Sequence, residues 1–159
     1  MAQATQPAPA DPSEAQNVND FLCFAIYSTN LAVNRLNKSV LDGLGLTYLQ
    51  YIVLVALYEQ DGQTVGGLGD KLFLDSSTLT PLLKRLDAMG HLTRQRDPED
   101  ERQVRVRLTP QGRSVREQAL AFRSDLVKAM GLSAVDFQHL REQLVKLRTN
   151  LSDAVPENP

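Results

Sequence analysis

LDSSTLTPLLKRLDAMGHLTRQRDPEDERQVRVRLTPQG, Leu74 to Gly112, changes its hydrophobic period halfway along, and that change decides the fold. Its first half keeps helical spacing. Leu79, Leu82, Leu83 and Leu86 make one apolar stripe, Asp75, Ser76 or Ser77 can cap the start, and Gly90 stands where a helix terminates. Pro81 falls near the first turn, where a missing N–H does less harm than mid-helix. The face opposite the stripe carries Ser77, Thr78, Thr80, Lys84 and Arg85, which are donors for phosphates and base edges. From Gln103 the period drops to two. Val104, Val106 and Leu108 point one way, Gln103, Arg105 and Arg107 the other, and HLTRQR is predicted to pair with them across the turn DPEDE. Thr109 and Pro110 then read as an N-cap followed by proline at the first helical position.

Upstream, TVGGLGDKLF keeps helical spacing at Val65, Leu68 and Leu72. Its three glycines each cost about 1 kcal/mol relative to alanine, so this helix depends on tertiary packing. GGLG is no phosphate loop, because the GxGxxG spacing and a preceding strand are missing. YLQYIVLVALYEQ is apolar nearly all round and predicts a core helix capped by Thr47. Asn17 to Leu36, with Leu22, Ala25, Ile26, Val33 and Leu36 in register and Asn17 or Asn19 as cap, predicts a first helix that breaks near Gly43 and Gly45. Downstream, Val115, Ala119, Phe122, Leu126 and Ala129 mark a long helix to about Met130. Ser133 caps a last one, with Asp136 near its positive end. There Phe137, Leu140, Leu144, Leu147 and Leu151 repeat like a coiled-coil seam, which calls for a partner helix.

Composition narrows the function. At 159 residues and 42% hydrophobic content the chain supports one domain with its own core. No run approaches the roughly 20 apolar residues of a membrane helix. Residues 1–16, MAQATQPAPADPSEAQ, lack a basic start and an apolar run. They read as a disordered tail rather than a signal peptide, so a cytoplasmic location is expected. A single cysteine forms no intramolecular disulfide, and His91 and His139 make no zinc set, so neither metal nor cofactor is expected. Between Lys84 and Arg113, basic residues outnumber acidic ones by three in a chain whose formal charge is -2. That reversal fits either a confined surface for a polyanion or a solvated charged hairpin.

Helix, turn, polar-faced helix and basic hairpin is the order of a winged helix-turn-helix. The fold class expected is mainly α. Residues 46–109 would form the winged DNA-binding region, and residues 17–45 and 110–155 a helical dimerisation region built from the N- and C-terminal helices. Ser76, Thr78, Thr80 and Pro81 are expected to face base edges, with Ser76 or Ser77 serving as cap. Lys84 and Arg85 would meet phosphates or a guanine, and Arg94, Arg96 and Arg102 the backbone and minor groove, with Arg102 at the wing tip. Asp100 either pairs with Arg102 or braces the loop, and its plainer reading is turn chemistry.

These residues carry a family resemblance. The polar helix start, LLKRL, the D-x-R of the wing turn and the L-T-x-x-G after it resemble the DNA-binding segment of MarR-type transcription regulators, over about Phe21 to Gly131. FLCFAIYS together with LTYLQY resembles the organic hydroperoxide regulators (OhrR) within that family. The resemblance implies a homodimer held by its terminal helices, repressing a promoter with an inverted repeat of double-stranded DNA, and no enzymatic activity.

On residue types alone Cys23 is a small core hydrophobe. The resemblance instead implies a peroxide sensor, in a dimer-interface pocket where tyrosine hydroxyls donate to the thiolate, the form that peroxide oxidises. Tyr48 would then reach Cys23 from the other subunit, and Tyr27 matches a second pocket tyrosine. Where the family generally has a tyrosine fourteen residues after the cysteine, this chain has Asn37, whose amide reaches less far and presents no aromatic wall. That substitution would weaken thiolate stabilisation or fit the pocket to another oxidant or a phenolic ligand. Without a second cysteine, reversible oxidation of Cys23 needs a low-molecular-weight thiol from outside. The function implied is a repressor that releases its operator when an organic hydroperoxide oxidises Cys23. The alternative is a MarR-type regulator that answers a small aromatic or phenolic ligand, with Cys23 incidental.

Overall fold

The computed structural model describes residues 17–154. A 3-10 turn at Val18–Asp20 precedes α1 (Leu22–Leu41), and a second, Asp42–Leu44, leads to α2 (Tyr48–Glu59). Then come β1 (Gln63–Thr64), α3 (Val65–Leu72), α4 (Ser76–Ala88), β2 (Leu92–Arg96), β3 (Val104–Leu108), α5 (Pro110–Ala129) and α6 (Ala134–Ala154). Mainly helical with one small antiparallel sheet, this is the winged helix-turn-helix that the sequence predicts.

Local chemistry sets most boundaries. Thr47 starts α2 with a reciprocal capping box: its Oγ1 accepts the Gln50 N–H at 3.3 Å and Gln50 Oε1 accepts the Thr47 N–H at 2.8 Å. Thr64 starts α3 by accepting the Gly67 N–H at 3.1 Å. Gly90 ends α4 at φ 78°, which lets the His91 N–H reach back to Leu86 O at 3.0 Å. The α3–α4 turn instead places a bulky residue, Phe73, in the left-handed region at φ 56°.

Several details refine the sequence expectation. Asn17 flanks the first 3-10 turn, while α1 begins after Phe21 without a side-chain cap and runs on to Leu41. The cap of α4 is Asp75, and Pro81 is the sixth helical residue, past the first turn, so the Ser77 carbonyl loses its usual N–H partner. Thr64 and Gln63 form a short strand before α3, pairing Gln63 with Val106 and Thr64 with Arg105 to give the order β1-β3-β2. Of the α5 stripe, Val115 is buried and Ala129 exposed, whereas the side chains of Ala119, Phe122 and Leu126 lie outside the described residues, as does the expected tail at 1–16.

Two compact units divide the chain, Met1–Arg116 and Glu117–Pro159. In the first, Val53, Leu54 and Leu57 of α2 pack with Leu68, with Leu79, Leu83 and Leu86 of α4, and with Leu92 and Val106 of the hairpin. The α4 stripe and the inward face of β3 are therefore core, as their periods require. In the second unit, Leu140, Leu144 and Leu151 of α6 stand exposed, and Phe137 and Leu147 are half-buried.

The start of α5 is clamped on the end of α4. Thr109 Oγ1 donates to Gly90 O at 2.6 Å and accepts the Gly112 N–H at 3.1 Å, while the Thr109 N–H reaches His91 O at 3.1 Å. A Cβ on Gly112 would fall 1.9 Å from His91 O, so no side chain fits there without moving backbone. Gly112→Ala is therefore expected to destabilise the fold by at least about 2 kcal/mol. Thermal denaturation checks this, and an unchanged Tm would show that the two segments are not in contact.

Candidate nucleic-acid interface and cysteine site

The outer face of α4 is polar because its inner face is committed to the core. Ser76, Ser77, Thr78, Pro81, Lys84 and Arg85 are exposed and Thr80 is half-buried. Asp75 Oδ1 accepts the Thr78 N–H at 2.8 Å and the Ser77 hydroxyl at 2.5 Å, and Oδ2 accepts the Thr78 hydroxyl at 3.3 Å. These bonds, the Ser77 hydroxyl foremost, hold the Asp75 carboxyl below its ordinary 3.8. A carboxylate outcompetes the neighbouring serines as cap and turns two hydroxyls toward the helix start.

The wing is stitched by two aspartates. Asp97 is 3% exposed; its Oδ1 accepts the Glu99 N–H at 3.0 Å and its Oδ2 accepts Arg105 Nε at 2.6 Å. Asp100 Oδ1 accepts the Arg102 amide N–H at 3.0 Å and its Oδ2 accepts Gln103 Nε2 at 3.0 Å. Asp100 therefore grips the main chain at Arg102, not its guanidinium. Arg94 is half-buried and its Nε pairs with Asp87 Oδ2 at 3.0 Å, tying β2 to α4. Arg96 and Arg102 are exposed, and among the described residues neither has an ion pair, which also holds for Lys84 and Arg85.

The residues expected to form the cysteine site are spread along α1 and the start of α2. Cys23 is exposed in its first turn and Tyr27, one turn on, is 58% exposed, its ring 6.4 Å from that of Phe24. Asn37 is 1% exposed, and neither amide atom finds a partner among the described residues. At 1.5 Å per residue it lies about 21 Å along the helix from Cys23. Tyr48 lines a cavity of about 260 Å³ with Asn34, Lys38, Asp42, Leu46 and Thr47. A single chain thus does not assemble Cys23 with Asn37. Among the described residues no group of three or more His, Cys, Asp or Glu could hold a metal, and no single helix is long and apolar enough to cross a membrane.

The family model described as transcriptional regulator SarA/Rot matches residues 35–119. The organic hydroperoxide resistance transcriptional regulator of Bacillus subtilis (strain 168) is 38% identical over 130 residues, 82% of this chain and 88% of that protein. The chain belongs to the MarR-type winged-helix transcriptional regulators. This regulator is also 41% identical over 138 residues to the HTH-type transcriptional regulator TtmR of Methylorubrum extorquens (strain PA1), across 87% of this chain and 71% of that one. Solved structures of AbfR bound to DNA, one reduced and one overoxidized, each match at TM-score 0.66 and 32% identity, over 82% of this chain and 91% of theirs.

Sequence reasoning missed the role of Asp97 in this MarR-type regulator. Asp-Pro reads as a turn, but the partner, Arg105, stands eight residues away on the opposite strand and is identified only once Arg96 is registered against Val104. The Glu99 amide N–H is the largest influence on Asp97, opposed by burial and reinforced by the Arg105 guanidinium, and the net result is a carboxyl held below 3.8. A depressed carboxyl contributes stability above the unfolded-state value and loses it as pH falls from 3.8 through the folded-state value. A carboxyl NMR titration is expected to place the Asp97 midpoint below 3.8, with wing amides shifting alongside; a midpoint at or above 3.8 contradicts the pairing.

Proposed function

We propose that this MarR-type regulator is a homodimeric repressor whose hold on an inverted-repeat operator is released when an organic hydroperoxide oxidises Cys23. The supporting observation is Cys23 itself, the only cysteine of the chain, exposed in the first turn of α1 beside Tyr27. Similarity to a regulator named for organic hydroperoxide resistance, over most of both chains, points the same way.

In this reading residues 46–109 meet the duplex, and residues 17–45 with 110–155 join two copies. Ser76, Ser77, Thr78, Thr80 and Pro81 face base edges, Lys84 and Arg85 phosphates, and Arg96 and Arg102 the backbone and minor groove. Arg94, paired with Asp87, serves by holding the wing to the reading helix. Two copies set their α4 helices about 34 Å apart, one helical turn of DNA. The protein then acts as a binding protein rather than an enzyme, in the cytoplasm where a bacterial promoter lies.

The chemistry is a two-electron oxidation. The Cys23 thiolate attacks the peroxide oxygen, the O–O bond breaks, and an alcohol leaves as the sulfur becomes a sulfenic acid. A low-molecular-weight thiol then forms a mixed disulfide with loss of water, since the chain holds no second cysteine. Tyr27 and Tyr48 are the hydroxyl donors of the pocket. Asn37 is enclosed by its own chain and offers the pocket no third hydroxyl.

One observation favours a second reading, response to a small phenolic or aromatic ligand: the 260 Å³ cavity, where Tyr48 and Lys38 offer a hydroxyl and a cation. A titration of operator DNA at fixed salt separates the two. Cumene hydroperoxide is expected to weaken wild-type binding roughly 5 to 150-fold, the range of a coupling of 1 to 3 kcal/mol, and to leave Cys23→Ser unchanged. Equal release by both proteins overturns the cysteine as sensor.

A further inference from the structure

We propose that Asp61 is a positioning residue for DNA binding: it seats strand β3 in the α2–β1 turn and so fixes the direction in which the wing presents Arg102. This rests on the DNA-binding reading given above. The sequence offers Asp61-Gly62 only as a turn, and nothing in the recognition helix accounts for what the structure builds around it.

The Asp61 carboxylate takes three donors. Oδ1 accepts the Gly62 N–H at 2.9 Å and the Leu108 N–H at 2.9 Å, and Oδ2 pairs with the Arg113 guanidinium of α5. The pairing of β1 with β3 covers only Gln63–Val106 and Thr64–Arg105, so the Leu108 N–H falls beyond the ladder. A charged oxygen supplies the missing rung and does so more strongly than a carbonyl. The neighbouring residue is equally committed. Gly62 O accepts Arg105 Nη1 at 3.0 Å, and Arg105 Nε continues to Asp97 at the base of the wing loop. The Arg107 guanidinium lies over Gly62, where a Cβ would meet it at 3.0 to 3.4 Å.

Three arginines of β3 and α5 thus converge on one dipeptide, and the chain of contacts runs from Asp61 through Arg105 and Asp97 to the loop carrying Arg102. The wing needs such an anchor. A two-stranded hairpin is marginal by itself, and its strands here are five residues each. With Arg113 against it, the carboxylate also presents little net charge to an approaching phosphate backbone.

The test uses the full chain and fluorescence anisotropy on a labelled duplex from its own promoter at fixed salt. Asp61→Ala and Arg102→Ala are each expected to weaken binding about tenfold, and the double variant to bind no worse than the poorer single one, because the tip contact is already lost. Asp61→Asn, whose amide oxygen still accepts both N–H groups, is expected to recover most of the affinity. Amide exchange is expected to quicken at Leu108 in Asp61→Ala while α4 keeps its protection. Wild-type affinity in Asp61→Ala, or losses that multiply in the double variant, overturns the positioning role. If Arg102→Ala, Lys84→Ala and Arg85→Ala all bind like wild type, the DNA-binding surface is wrongly placed and the proposal falls with it.

Discussion

Three elements meet at the His91 backbone: its N–H closes α4 onto Leu86 O, its carbonyl accepts the Thr109 N–H, and Gly112 approaches that carbonyl closer than any side chain permits. The end of α4, the base of the wing and the first turn of α5 are therefore one rigid junction. Backbone bonds in this arrangement have no slack, because packed interiors respond to displacement as units. A shift of the α5 start is carried to the α4 end and to β2 together. Burial also holds the His91 imidazole below its ordinary 6.5, so the junction contains a neutral ring rather than a charge. The link between α4, the wing and α5 is made of glycine, threonine and main chain.

Charge tells a related story. The run of arginines from Arg94 to Arg113 looks uniform in the sequence, yet the fold divides it in two. Arg94, Arg105 and Arg113 are held by Asp87, Asp97 and Asp61: the first two pairs fix the hairpin to α4 and to its own loop, and the third fixes α5 to the α2–β1 turn. Arg96 and Arg102, with Lys84 and Arg85 on the helix, keep their charge outward. In the proposed interface only charges of the second kind would release counterions to a phosphate, so binding strength would follow them rather than the total. The acidic residues of the wing do not work against a polyanion, because Asp97 is enclosed and Asp100 is occupied by an amide N–H and Gln103.

What the sequence revealed and what it hid follows the range of the interactions. The period of α4, the alternation of β3, the Thr47 cap, the Thr109-Pro110 start and the Gly90 stop are each decided within a few residues, so they can be read locally. The strand at Gln63–Thr64 cannot: it exists only because β3, some forty residues later, offers it a partner. The partners of Asp61 and Asp97 are hidden for the same reason. Burial of Asn37 is also illegible, since an amide followed by Lys38 and Ser39 on a helix reads as surface, yet only 1% of it is exposed. The family resemblance was legible for the same reason, because its motifs are local. Where each arginine points is set by tertiary pairing.

The same distinction bears on the thiol. Cys23 sits among exposed apolar neighbours, Phe21, Leu22, Ile26 and Tyr27, a patch of the kind that soluble chains cover. In the proposed dimer a second copy covers it and takes the sulfur out of water. Reactivity in a dimer therefore depends on donors that favour the thiolate more than burial opposes it. Helix geometry keeps Asn37 about 21 Å from Cys23 on its own chain, where it is buried. In the proposed pocket the balance then falls to tyrosine hydroxyls: Tyr27, one turn from the sulfur, and Tyr48, at the start of a helix whose capping box holds its direction.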